Sequence, residues 1–123
     1  MEKDILTQKV IGAAIEVHRH LGPGLLESCY EQCLIYELKK LELDVLSQVC
    51  LPVNYKELEI EGGFRIDLLI PNKLVIEIKA VNELMPVHTA QLLTYMKLAG
   101  IHKGLLINFN STKLINGVKR LIL

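Results

Sequence analysis

The residues best equipped for chemistry lie in one short stretch, Phe64-Arg65-Ile66-Asp67-Leu68-Leu69-Ile70-Pro71-Asn72-Lys73-Leu74-Val75-Ile76-Glu77-Ile78-Lys79. Pro71-Asn72-Lys73 has the composition of a tight turn, so its flanks read as a β-hairpin. With Ile70 opposite Leu74, counting back sets Asp67 against Glu77 and Arg65 against Lys79. Alternation along each strand then projects all four side chains to one face. A slip of one residue would send Glu77 to a neighbour on the other face, so the pairing depends on register. Two carboxylates placed face to face destabilise a sheet unless something neutralises them, and a divalent cation would do so. Hard oxygen ligands suit Mg²⁺ or Mn²⁺, which keep waters and substrate phosphate oxygens as their other ligands. Lys79 would point its ammonium into the same space, to hold a phosphate oxygen or to activate a water. The plainer alternative is a salt-bridged surface. Against it stand Leu68, Ile70, Leu74, Ile76 and Ile78 on the opposite face, with Leu69 and Val75 on the charged one. Charges on a strand covered in this way tend to be functional.

The elements that must position this hairpin can be read from periodicity. Leu6, Val10, Ala14, Val17 and Leu21 recur every three or four positions and predict a helix over residues 4–20. Leu21-Gly22-Pro23-Gly24 breaks it, and a second helix is expected over residues 25–41 with Leu26, Tyr30, Leu34 and Leu38 on one side. Val45, Val49, Leu51 and Val53 are strand formers, and Pro52 among them suggests an edge or irregular strand rather than a central one. A turn at residues 54–57 leads to a further strand segment, and Gly62-Gly63 marks a bulge or second bend before the hairpin. Residues 74–80 form the most apolar strand. Pro86 can start a helix that Gly100 ends, and buried strands are expected over residues 104–109 and 118–123 with a polar stretch between them. The order of elements predicts an α/β fold, a mixed sheet flanked by helices.

The 123 residues, half of them hydrophobic, have room for one core, and the whole chain reads as a single domain. Basic and acidic residues both total 14, which excludes a bulk basic character, so any affinity for nucleic acid must come from local patches. Cys29, Cys33 and Cys50 lack a disulfide-like spacing, and together with the absence of a signal-like leader they point to a reduced cytoplasmic chain. No uncharged apolar run approaches the roughly 18–20 residues that span a bilayer, so no membrane association is expected.

Gly24-Leu25-Leu26-Glu27-Ser28-Cys29-Tyr30 matches the motif after which the GxxExxY proteins are called. The pair of strands from Asp67 to Lys79 resembles the D-x(n)-E-x-K core of the PD-(D/E)XK nuclease superfamily, in which that family is placed. The likeness continues through residues 84–95 and 104–109 and so covers nearly the whole chain. It implies a restriction-endonuclease-like fold and assigns roles residue by residue. Asp67, Glu77 and the Ile78 carbonyl would be metal ligands and Lys79 the catalytic lysine. Glu27 corresponds to the helical glutamate that completes the site in many of these nucleases, and Gln91 and Tyr95 to a Q-x-x-x-Y motif. Ile66 stands where many members carry proline, a position that varies widely in the superfamily.

Glu27 with Tyr30, and Gln91 with Tyr95, are spaced three and four apart and share helix faces. His88 lies near the face of Gln91 and Tyr95, where a surface or capping role is the better reading. His18 and His20 beside Cys29 and Cys33 make a weak zinc set, since no CxxC pair is present and Cys33 suits core packing. The function expected is Mg²⁺- or Mn²⁺-dependent hydrolysis of phosphodiester bonds in nucleic acid, DNA ahead of RNA. The alternative is a non-cleaving nucleic-acid-binding or protein-interaction module on the same fold. It is motivated by a short, neutral chain that a homodimer or partner protein would have to supplement.

Overall fold

A computed structural model describes residues 4–123. Helix α1 spans Ile5–Leu21, and α2 spans Glu27–Lys40. Strands β1 (Leu46–Tyr55), β2 (Leu58–Ile70) and β3 (Leu74–Lys79) follow, then helix α3 (Pro86–Ala99) and strand β4 (Lys103–Asn108). A short 3₁₀ turn, Leu114–Gly117, leads into β5, Val118–Ile122. The five strands form one sheet in chain order, β1 at one edge and β5 at the other. Only β3 and β4 run parallel, joined by the α3 crossover, so the sheet is mixed as expected.

Each face of the sheet has its own core. Val10, Ala14, Tyr30 and Leu34 of the first two helices pack on Leu68, Ile76, Leu105 and Phe109. On the other face Leu92 and Met96 of α3 meet Ile66, Leu69, Val75 and Leu106. α3 sits so close to β4 that a Cβ on Gly104 would lie 2.5 Å from the Met96 sulfur. β3, covered on both sides, is buried along its apolar length, which is why it reads as a near-continuous hydrophobic run.

Chain ends and turns explain how the helices are set. Asp4 caps α1, accepting a hydrogen bond from the Thr7 amide at 3.1 Å, and pairs with Lys103 of β4 at 2.9 Å. Although partial burial pushes the Asp4 carboxyl up, the Thr7 and Lys103 hydrogen bonds hold it at about 2. α2 begins two residues later than its periodicity suggested, and Leu26, expected on its buried side, is an exposed cap residue. The bulge foreseen at Gly62-Gly63 is present. The β1/β2 register slips between Leu51–Phe64 and Val53–Ile60, with Gly62 at φ 61°. The polar stretch before β5 folds as the 3₁₀ turn, anchored by buried Leu114, an element too short to leave a periodic signal. Among the described residues no helix is long and apolar enough to cross a membrane.

Candidate active site

The β2/β3 ladder pairs Ile70 with Leu74, Leu69 with Val75 and Leu68 with Ile76, the register read from the turn, and then it stops. The pair of strands parts at the next position, and carboxylates take over the backbone bonding. The Asp67 amide donates to Glu77 Oε2 at 2.9 Å, and the Ile78 amide donates to Asp67 Oδ2 at 2.8 Å. Asp67 and Glu77 are thus brought together as expected, but by side-chain bonds to each other's strand and not as a ladder pair.

The same position interrupts the β1/β2 ladder. Ser47 pairs with Leu68 and Val49 with Ile66, skipping Gln48 opposite Asp67, and Gln48 has φ 51°. Phe64 and Ile66 point into the core under α3, whereas Leu68 and Ile70 point to the helix pair. Residues two apart in a regular strand share a face, so β2 changes phase at Asp67. Arg65 still lines the same hollow as Asp67, Glu77 and Lys79, exposed at its rim, although a broken ladder and not unbroken alternation brings the four together. Gln48 is tied to the second helix, its Nε2 donating to Glu31 Oε1 at 2.6 Å.

Two adjoining hollows of about 440 and 430 Å³ open on either side of Asp67, and Glu27, Arg65 and Asp67 line both. The first is completed by Glu77, Lys79, Gln91 and Tyr95, with Cys50 and Gly62 at its edge. The second is walled by Ser28, Glu31, Gln48 and Ile78. Glu77 is only 3% exposed, and burial first, then the charge of Asp67, push its carboxyl up to about 8. Burial and Asp67 raise Glu31 as well. Among the described residues no buried side-chain nitrogen or oxygen lacks a partner. The second oxygens of Asp67 and Glu77, which take part in no hydrogen bond, are therefore not sealed from solvent, and both residues line the first hollow.

Lys79 Nζ donates to Gln91 Oε1 at 3.1 Å, and Gln91 Nε2 donates to Tyr95 Oη at 3.2 Å. The polarity of this chain follows from its first member. A lysine ammonium only donates, so the Gln91 oxygen must face it and the amide nitrogen must face the tyrosine. Tyr95 then accepts from Gln91 and keeps its own hydroxyl proton for another acceptor. Its ring leans on Phe64, centroids 5.0 Å apart, and burial followed by the Glu77 charge raises its pKa. His88 stays outside this chain: its Nδ1 accepts from the Met85 amide at 2.9 Å, the capping role expected of it.

The Gly24–Tyr30 motif has a mechanical explanation. Gly24, at φ 102°, turns the chain out of α1, and fully buried Tyr30 stacks on Phe109 at 4.6 Å. Its hydroxyl donates to the Gly22 carbonyl at 2.6 Å and accepts from the Leu25 amide at 3.0 Å. These bonds fix the loop that delivers Glu27 to the cleft on the first turn of α2. Asn108, not singled out from the sequence, does similar work after Lys79. Its buried amide accepts from the Val81 amide at 3.0 Å and donates to the Val81 carbonyl at 2.9 Å, fixing the chain's exit from β3. The signal available was a lone amide inside an apolar strand. Gln48 gave none, since nothing in a glutamine announces a positive φ.

Among the described residues no three His, Cys, Asp or Glu side chains are gathered closely enough to hold an ion by themselves. Glu27 therefore stands with Asp67 and Glu77 at the cleft without closing a three-carboxylate cage. The weak zinc set is likewise not assembled: His18 Nε2 lies 2.8 Å from the Ser111 carbonyl oxygen, and Cys33 packs against the helix-side core.

A family model of the PD-(D/E)XK nuclease superfamily matches residues 4–121. Among solved structures, the chain is similar to the one described as the crystal structure of SSO0001. The TM-score is 0.53 at 18% identity, with 98% of this chain and 79% of that one covered, a likeness of fold. No curated protein matches.

Proposed function

This chain belongs to the PD-(D/E)XK nuclease superfamily, and we propose that it is a Mg²⁺- or Mn²⁺-dependent nuclease acting on nucleic acid, DNA ahead of RNA. The observation that carries this reading is the end of the β2/β3 ladder, where Asp67 and Glu77 each cap the other strand's amide and leave an oxygen open to the hollow. The donor set suits a hard divalent ion. A carboxyl held up to about 8 by burial and a neighbouring carboxylate gains from a second positive charge nearby. Two carboxylates and a backbone carbonyl, with water and substrate oxygens making up the rest, are what Mg²⁺ commonly takes.

Asp67, Glu77 and the Ile78 carbonyl would hold the ion, with Glu27 reaching it from the rim through water. When bound, such an ion supplies Lewis-acid polarisation of a phosphoryl oxygen and makes a bound water more acidic. The chain's own groups do the rest. Lys79, steadied by Gln91, orients the attacking water by hydrogen bonding and offsets negative charge as it builds on the phosphoryl oxygens. The Tyr95 hydroxyl, whose proton Gln91 leaves free, donates to a non-bridging phosphate oxygen. Water adds to phosphorus and the P–O bond to the leaving oxygen breaks; one water proton passes through solvent to that oxyanion, and the other stays on the new phosphate monoester.

Within the superfamily we group the chain with the GxxExxY proteins, on the motif whose mechanical work Gly24, Glu27 and Tyr30 perform. The three free thiols fit a reducing cytoplasm, and residues 1–123 act as one nuclease unit to which a second copy or a partner protein adds binding surface. The test is Mg²⁺-dependent cleavage of labelled single-stranded, duplex and branched DNA. Asp67→Ala and Glu77→Ala abolish it while circular dichroism stays native. Equal cleavage by wild type and both variants overturns the reading, and DNA binding without cleavage by the wild type favours a non-cleaving module.

A further inference from the structure

The residues lining the two hollows include four carboxylates, Glu27, Glu31, Asp67 and Glu77, and two cations, Lys79 and Arg65. A polyanionic strand approaching this cleft meets more negative than positive charge. Lys79 is half-buried and already donates to Gln91. Arg65 is differently placed. It is exposed, it lines both hollows, and among the described residues it takes part in no side-chain hydrogen bond, while the ion pairs are Glu16–Arg19, Glu16–His20 and Asp4–Lys103. A guanidinium beside several carboxylates that pairs with none of them keeps its five donors for something else. Its place at the rim is built into the fold. The change of phase at Asp67 turns Phe64 and Ile66 into the α3-side core and leaves Arg65 at the mouth, where its charge is felt at Glu31 on one wall and at Tyr95 on the other.

We propose that Arg65 is the substrate-gripping residue of the cleft, its guanidinium binding a backbone phosphate adjacent to the one placed at Asp67. Planar, bidentate donation suits a phosphate better than the single point charge of a lysine. A contact shared by both hollows also fixes the direction in which a strand lies across Asp67, which neither Lys79 nor Tyr95, confined to one hollow, can do. The contact positions the strand and reads no sequence, because phosphates are the same at every step.

This inference rests on the nuclease reading, and the experiment separates the two. Binding of a short fluorescein-labelled DNA hairpin with a single-stranded tail is followed by anisotropy at several salt concentrations, with Ca²⁺ in place of Mg²⁺. Arg65→Ala weakens binding roughly tenfold and lowers the slope of log Kd against log salt by about one, the signature of one lost phosphate contact. Arg65→Lys recovers the slope and only part of the affinity, whereas Mn²⁺ affinity measured by calorimetry is kept or raised in both variants. An unchanged Kd and slope in Arg65→Ala, beside a wild type that binds, overturns the role of Arg65 and leaves the nuclease reading standing. A parallel loss of Mn²⁺ binding also overturns it, since the residue would then act through the carboxylates. A wild type that binds no nucleic acid overturns the nuclease reading and this inference with it.

Discussion

The two ends of the β2/β3 hairpin share their strands and little else. At the turn end, Leu68 to Ile70 and Leu74 to Ile76 are laddered and buried, packed by helices on both faces. At the open end the ladder stops, and Asp67 and Glu77 satisfy the amides that the parted strands would otherwise leave unpaired. The apolar end gains free energy on burial. The open end holds a buried carboxyl at about 8, which is a cost. A site of this kind is made by ending a regular element early and letting functional side chains finish its hydrogen bonding.

The comparison breaks most visibly at the apolar end. Ile76→Ala, at a fully buried position, lowers unfolding stability by about 2–5 kcal/mol in urea titrations, while divalent-ion affinity per folded molecule stays the same.

The open end responds to pH instead. The Glu77 carboxyl has an ordinary value of 4.5 and a folded value of about 8, so the fold favours its protonated form. In metal-free protein the stability is therefore fully present below the ordinary value and is lost as pH rises through about 8, by a few kcal/mol in all. Urea titrations from mildly acidic to alkaline pH measure it. Mg²⁺, which prefers the ionised carboxylate, restores the loss, and Glu77→Gln flattens the profile near its acid-side level while cleavage is lost.

Tyr30→Phe is smaller in effect than either. It leaves the Gly22 carbonyl and the Leu25 amide without their hydroxyl partner and costs about 1–3 kcal/mol by thermal unfolding. Cleavage falls with it, because the loop carrying Glu27 loosens. The smallest effect is at Asp4, remote from both ends. Asp4→Ala removes a helix cap and costs about 1 kcal/mol. In the wild type this contribution is present above the carboxyl's ordinary value of 3.8 and fades as pH falls through about 2, the opposite sense to Glu77.

What could be read from the chain divides along the same line. The turn Pro71-Asn72-Lys73 set the register of its neighbours, and periodicity marked the apolar helix stripes, because turn chemistry and side-chain spacing are local in sequence; that the buried residues divide into two cores, one on each face of the sheet, was not read. The meeting of Asp67 and Glu77 followed from that register. Its form did not, since alternation assumes an unbroken strand and the phase change at Gln48 and Asp67 is a response to packing on two faces at once. Tyr30 acquired its locking role only once Phe109, distant in sequence, was beneath it. Residues that hold a site together through long-range contacts leave at most a faint local mark, as the lone amide of Asn108 does in its apolar strand.

The most direct test of the account is the anomalous difference map of a crystal soaked in Mn²⁺. One peak is expected beside Asp67, where the two hollows adjoin, near the free oxygens of Asp67 and Glu77 and the Ile78 carbonyl, and lost in Glu77→Gln. A peak elsewhere, or none at a concentration that saturates binding in solution, would contradict it.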